Sequence, residues 1–330
     1  MNKKNSYSII LFSLLAVCLV FLTVAALFLG AEKINPASAV KGQLKSYEKI
    51  ILMDIRLPRI LLTLICGILL GGAGAVFQGF FRNPLADAGI MGISSGASLG
   101  AVISGFLPVP TAFTFAYFSP VSVFAFAGSI AAGILVLFFS VIVKHRSSVT
   151  LLLAGTATGT FLSSVTSVLL ILSRNDLRAL ITWTMGSFNS KGWTELKMLV
   201  IPAFVATAML ILCAKNLNLL GSGEKTALSL GLDPFSTKIL VLLAGSLASA
   251  CAVCGGGIIS FAGLIAPHIM RRLFGSDHYR LIPLSMLGGA ILLLVSDTLA
   301  RTLVSPSEIP VGIITSLIGV PFFILVLKKE

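Results

Sequence analysis

The segment Gly221-Ser222-Gly223-Glu224-Lys225-Thr226 has the outline of a phosphate cradle. In a P-loop, glycine directly precedes lysine, so that backbone amides and the ammonium converge on one phosphate. Here Glu224 separates the two, its carboxylate would repel phosphate, and no strand pattern precedes it. The chain is therefore not expected to bind ATP itself. Cys251 and Cys254 form a C-x-x-C, but no second cysteine pair or nearby histidine completes a redox or metal site. Cys18, Cys66 and Cys213 lie inside apolar runs, as small buried side chains do. His145, His268 and His278 are isolated, no His-Glu-x-x-His occurs, and no nucleophile has a base beside it. The residues thus predict no enzyme, no metal and no cofactor. Asp297 is the one clear carboxylate inside an apolar run. Arg301, four residues on, is its expected partner on the same helix face. An ion-coupled secondary transporter, the rival reading, usually keeps ionisable groups mid-membrane, and this sequence offers little of that kind.

The elements that carry these residues follow from composition. Of 330 residues, 56% are apolar and 11% charged, with 31 glycines besides. Soluble domains are roughly 45–50% apolar with glycine included and about 25% charged. That balance excludes a soluble domain, disorder, collagen and coiled coil, and leaves an all-α, polytopic membrane protein. The net charge is +12. In a soluble chain this would suggest nucleic acid. Here the basic residues fall between apolar runs, which points to lipid interfaces and acidic protein surfaces, with no nucleic acid.

Stretches free of Asp, Glu, Lys and Arg locate the spans. Pro108, Pro110 and Pro120 divide 88–143, and Gly255-Gly256-Gly257 divides the long run from 239. The result is about ten spans in one domain, 1–330, near 8–30, 60–81, 90–107, 121–143, 149–172, 197–214, 238–254, 257–273, 281–300 and 310–327. The first follows Lys3 and Lys4 and is long for a signal peptide, so an uncleaved helix is expected. Ala37-Ser38-Ala39 keeps cleavage open. Arg82, Lys144, Arg146, Lys215, Lys225, Arg271, Arg272, Lys328 and Lys329 fall on one side of a ten-span path, which places both termini in the cytoplasm. Arg56, Arg59, Arg174, Arg178 and Arg301 fall outside, against that bias, and docking to an acidic partner would explain them. Gly67, Gly71, Gly72, Gly74 and Gly79 in the second span permit close helix packing. Ser94, Ser95 and Ser98 could line a polar path. The longest inside loop, 215–237, contains Glu224 to Gly231. These residues can form two helical turns, with Gly231 as the cap and Pro234 beyond, a short surface helix that a cytoplasmic motor could grip.

Six segments in order resemble the permease subunits of type II ABC importers, the FecCD group that moves iron-siderophores, haem and vitamin B12. They are Arg56-Leu57-Pro58-Arg59, Gln78 to Asp87, Gly89 to Ala97, Trp183 to Phe188, Ile259 to Arg271 and Glu308 to Gly312. The resemblance covers nearly the whole chain and implies ten spans and a homodimer with the substrate path on its axis. It also implies two separate ATP-binding subunits inside and a substrate-binding protein outside a bacterial inner membrane. Residue by residue, it implies docking of the binding protein through Arg56, Arg59 and Arg301. It places ATPase coupling at Glu224, Ala227 and Gly231, and a cytoplasmic gate near Asn83, Leu85, Ser147 and Ser148. Iron-siderophore is the leading cargo class, with haem and cobalamin behind it. Selectivity would rest mainly with the binding protein, so the sequence does not name the cargo.

Overall fold

A computed structural model describes residues 3–107, 119–142, 148–172 and 183–328. Ten principal helices follow one another in the expected order. They are α1 Lys3–Phe28, α2 Leu57–Phe81, α3 Ile93–Ser104, α4 Pro120–Ile142 and α5 Ser148–Leu172. After these come α6 Trp193–Gly221, α7 Pro234–Gly256, α8 Ala262–Phe274, α9 His278–Thr302 and α10 Val311–Leu327. Among the described residues no strand occurs. Seven helical stretches among the described residues are long and apolar enough to cross a membrane. The helices α3, α8 and α10 are short, at 12, 13 and 17 residues. Short helices survive at membrane depth only where protein covers their ends.

The centre of the bundle is α2, and the reason lies in its glycines. A side chain at Gly67 or Gly71 would collide with the α9 backbone at Ser285, Gly289 and Ala290, and one at Gly74 with Gly263 of α8. Backbones can meet this closely only without a Cβ, and in lipid such packing is what holds helices together. The ring of Phe77 fills the space above Gly245 of α7 in the same way. Leu62, Cys66, Leu69, Val76 and Phe77 are buried against residues of α6, α7 and α9 in one continuous core.

The sequence put the start of this span at residue 60, but the helix begins earlier. It runs unbroken from Ser46 to Phe81, 36 residues, through a π-helical stretch at Ile51–Arg56. At 1.5 Å per residue that is about 54 Å, well beyond an apolar layer of roughly 30 Å. Trp193 donates its indole N–H to the Met53 carbonyl (3.0 Å) beside the widened turn.

At the other end, α6 continues to Gly221 rather than stopping near 214. Leu217 keeps it anchored in the core, and Asn218 is pinned to the start of α9. The Asn218 side chain donates to Asp277 (2.7 Å) and accepts from the His278 backbone N–H (2.8 Å).

Candidate functional site

Three clusters hold the residues singled out by sequence. The first joins the end of α1 to α2 and α9. Arg56, Arg59 and Arg301 are 5%, 7% and 5% exposed, so the structure turns all three inward. Arg59 grips Asp297 through Nε (3.1–3.2 Å) and Nη2 (2.8 Å), and gives Nη1 to both oxygens of Glu308 (3.0 Å). Arg56 donates to the carbonyls of Leu27 (2.8 Å) and Glu32 (2.5 Å). Arg301 donates to the Ala26 carbonyl (2.6 Å). The last turn of α1 is thus capped by two guanidinium groups, the charge that a helix C-terminus favours.

The ion pair expected within α9 is present but long, and a distant partner takes the shorter contacts. Asp297 gives its short contacts to Arg59, and Arg301 Nε stays 4.0 Å from it with no hydrogen bond. A forked guanidinium aligned with a carboxylate outcompetes a neighbour one turn away, because two parallel charge-assisted bonds form at once. The docking expectation placed these arginines at an exposed surface. Burial leaves only one member of the cluster, Glu308, substantially open, with 27% of its side chain exposed.

The second cluster is the loop after α6, which is shorter than the expected 215–237 because helix continues through Gly221. A short helix, Glu224–Ser229, follows Gly223 at φ +108°. It closes with Leu230 as the cap and Gly231 at φ +83°, the positive φ expected of that glycine. Leu232 N–H reaches the Ala227 carbonyl (3.0 Å) and Gly231 N–H the Leu228 carbonyl (3.0 Å), the paired bonds of a Schellman ending. Asp233 then caps α7 by accepting from Phe235 N–H (3.0 Å) and Ser236 N–H (3.1 Å), with Pro234 in the first turn. Of the residues expected to couple, Ala227 is fully buried and faces the protein. Leu228 and Leu230 are the apolar groups turned outward, at 52% and 61% exposed, and the sequence reading did not single them out. The side chain of Glu224 lies outside the described residues.

The third is the segment between α2 and α3. Arg82 adopts a left-handed conformation (φ 49°), and its guanidinium donates to the Leu220 carbonyl at the end of α6. Asn83 accepts from Leu85 N–H (2.9 Å), which fixes a tight turn, and both side chains are half-buried. Of the partners expected across the gate, Ser147 lies outside the described residues. Ser148 opens α5, and its side chain is also outside them.

Beyond Leu85 the chain turns back between helices. Gly92 (φ +71°) lies against Gly155 and Gly159, well inside α5. Here sequence reasoning missed a functional candidate. Asp87 reads as a loop residue but sits beside Gly263 and Gly74, the latter seven residues before the end of α2. That is about 10 Å along the helix from that end. The apolar composition of 88–107 hid the re-entry.

A second omission is the face of α5. Thr156, Thr160, Ser163, Ser164 and Ser167 are exposed and share one helix surface. Most donate to a carbonyl one turn earlier, and Ser163 instead donates to Ser95 (3.0 Å). Their 3–4 residue spacing was the available signal.

The FecCD transport family model matches residues 18–329. The cobalamin import permease BtuC of Halobacterium salinarum is 41% identical over 86% of this chain and 74% of its own length. The hemin transport permease HmuU of Yersinia pestis is 39% identical over 84% of this chain and 83% of its own. A solved chain described as an inward-facing metal-chelate type ABC transporter superposes with a TM-score of 0.84. It is 33% identical and covers 97% of this chain and 99% of that one. A match over almost the full length, together with the ten helices in order, means that this protein belongs to the FecCD transport family.

Proposed function

We propose that the chain is the membrane-spanning permease of an ATP-driven importer, acting as a homodimer in a bacterial inner membrane with both termini in the cytoplasm. The observation that carries this reading is the hydroxyl-bearing outer face of α5. A single copy leaves Thr156, Thr160, Ser163, Ser164 and Ser167 facing outward. A second copy set against that face would enclose them as the wall of a path that offers hydroxyls and no charge. The cargo proposed is a metal chelate, iron-siderophore before haem or cobalamin. Relatives of nearly equal identity are named for cobalamin and for hemin, so identity does not choose among them.

Energy comes from two separate ATPase subunits. The broken phosphate cradle at Glu224 supports this, as does the short helix Glu224–Ser229, closed at its C-terminal end with Leu228 and Leu230 presented. A substrate-binding protein delivers the cargo at the opposite end. Docking by Arg56, Arg59 and Arg301 requires an exchange, because these groups are occupied. What supports it is charge: Arg59 and Arg301 share Asp297, Glu308 pairs with Arg59 at the open side, and Arg301 Nε makes no hydrogen bond. A partner carboxylate that displaces Glu308 would complete the cluster.

Reconstitution tests the whole reading. The chain alone in liposomes hydrolyses no ATP. With a cognate ATPase and binding protein it takes up an iron chelate, and Ser163→Phe with Thr160→Phe blocks uptake while leaving ATPase assembly intact. ATP turnover by the isolated chain, or unchanged uptake by the double variant, overturns it.

A further inference from the structure

The re-entrant segment holds a carboxylate that the import reading does not use. Asp87 Oδ1 accepts from Gly89 N–H (2.9 Å) and Ile90 N–H (3.2 Å). Those bonds make an Asx turn, for which one oxygen suffices and asparagine serves as well as aspartate. The charge and the second oxygen are therefore surplus to the turn. Asp87 also borders a largely enclosed cavity of about 40 Å³, where Ser94, Ser249 and Ser260 join it from α3, α7 and the turn before α8. Ser249 spends its proton on the Gly245 carbonyl (2.7 Å), so its oxygen lone pairs remain for the cavity. No Lys, Arg or His lines this space. An ionised carboxylate at such depth is costly unless something neutralises it.

We propose that Asp87, Ser94, Ser249 and Ser260 hold one small monovalent cation of the sodium class. The donors are all oxygen, which suits a hard cation. One carboxylate balances one positive charge. Among the described residues no group of three His, Cys, Asp or Glu could hold a metal ion, which disfavours a divalent or transition metal. The cavity admits a single ion or one to two waters by volume. A bound ion ties α3, α7 and the turn before α8 to the segment that follows Leu85, and so favours the conformation described here. The inference rests on the cavity alone and stands whether or not the chain is an importer.

The test is equilibrium binding of radioactive sodium to the full chain in nanodiscs, with choline chloride holding ionic strength constant. Thermal unfolding is followed alongside. Wild type should bind about one sodium ion per chain. Its unfolding midpoint should rise by about 2–4 °C at tenfold excess over the dissociation constant. Asp87→Asn keeps the turn acceptor and should lose both signals, and Ser94→Ala should weaken binding several-fold. Equal sodium binding by wild type and Asp87→Asn, or binding by neither, overturns the proposal. A midpoint that follows pH but not sodium also overturns it, because a proton then neutralises Asp87. If Asp87→Asn does not fold, Ser94→Ala combined with Ser260→Ala decides the matter by the same binding measurement.

Discussion

At the Arg59 end the charged side chains are turned inward, whereas at the Glu224 end polar backbone is satisfied inward and apolar side chains are turned out. Arg59 and Asp297 are nearly sealed from solvent. Leu228, on a helix of six residues, and Leu230, its cap, are more than half exposed. Charge in a sequence is thus a poor guide to what a membrane protein offers a partner. An arginine at the edge of the apolar layer is stabilised by any carboxylate the fold can bring to it, and here the fold brings two. At the loop helix the backbone closes on itself, and leucines remain for another surface to bury.

The largest expected effect tests the inward-turned end. Asp297→Ala leaves Arg59 and Arg301 without their shared carboxylate, and should cost about 3–5 kcal/mol, the usual penalty for breaking a buried pair. Glu308→Gln, at the open side of the same cluster, should cost about 1 kcal/mol or less. Thermal or denaturant unfolding in detergent measures both. Equal losses would mean that burial does not separate the two carboxylates.

Next is the outward-turned end. Leu228→Glu with Leu230→Glu should leave the unfolding midpoint unchanged and weaken ATPase association tenfold or more, as read by co-purification or light scattering. A fall in stability without a change in association would make these leucines part of the core instead. Gly231 sharpens the contrast further. No atom lies within 4 Å of a Cβ added there, so only the positive φ and the partner oppose a side chain. Gly231→Ala should cost about 1–2 kcal/mol from backbone strain, and Gly231→Asn less, since asparagine tolerates that region. Gly231→Arg should abolish uptake while the protein still reaches the membrane. Uptake by Gly231→Arg equal to wild type removes the loop from coupling.

The smallest effect concerns docking. If a partner carboxylate displaces Glu308, Glu308→Gln should tighten binding of the binding protein a few-fold at low salt, and the gain should fade as the Debye length shrinks from about 10 Å at 0.1 M to about 3 Å at 1 M. Weaker binding by Glu308→Gln would count against the exchange.

These contrasts mark what could be read from the sequence. Charge-free runs, three prolines and Gly255-Gly256-Gly257 were enough for ten helices in order, because each reports on solvent or on local backbone. Helix ends were less legible. Arg56 and Arg59 lie inside the Ser46–Phe81 helix because Asp297, 238 residues after Arg59, is there to receive one of them. No local window contains that pairing. Asp87 was hidden for a related reason. Its depth depends on Gly92 meeting Gly155 and Gly159, a contact between segments that carry no distinguishing charge. At the loop helix the opposite held: Gly231, Asp233 and Pro234 act on their own neighbours, and the turn and cap followed from them. Which leucines face outward depended on how Ala227 packs, and so did not.

The capped end of α1 bears on how the protein is made. Only 6% of the apolar stretch Ile10–Phe28 is buried, and Ala26 packs with Ile60 of α2 and Leu294 of α9. Its terminal carbonyl at Ala26 waits for Arg301, 275 residues later in the chain. This helix, synthesised long before α9, is therefore moored late. Until α9 is synthesised it can drift in the bilayer, held only by Arg56 and the neighbouring helix. A chain truncated before Arg301 would insert α1 normally and leave it unmoored, open to capture by the quality-control proteases of the membrane.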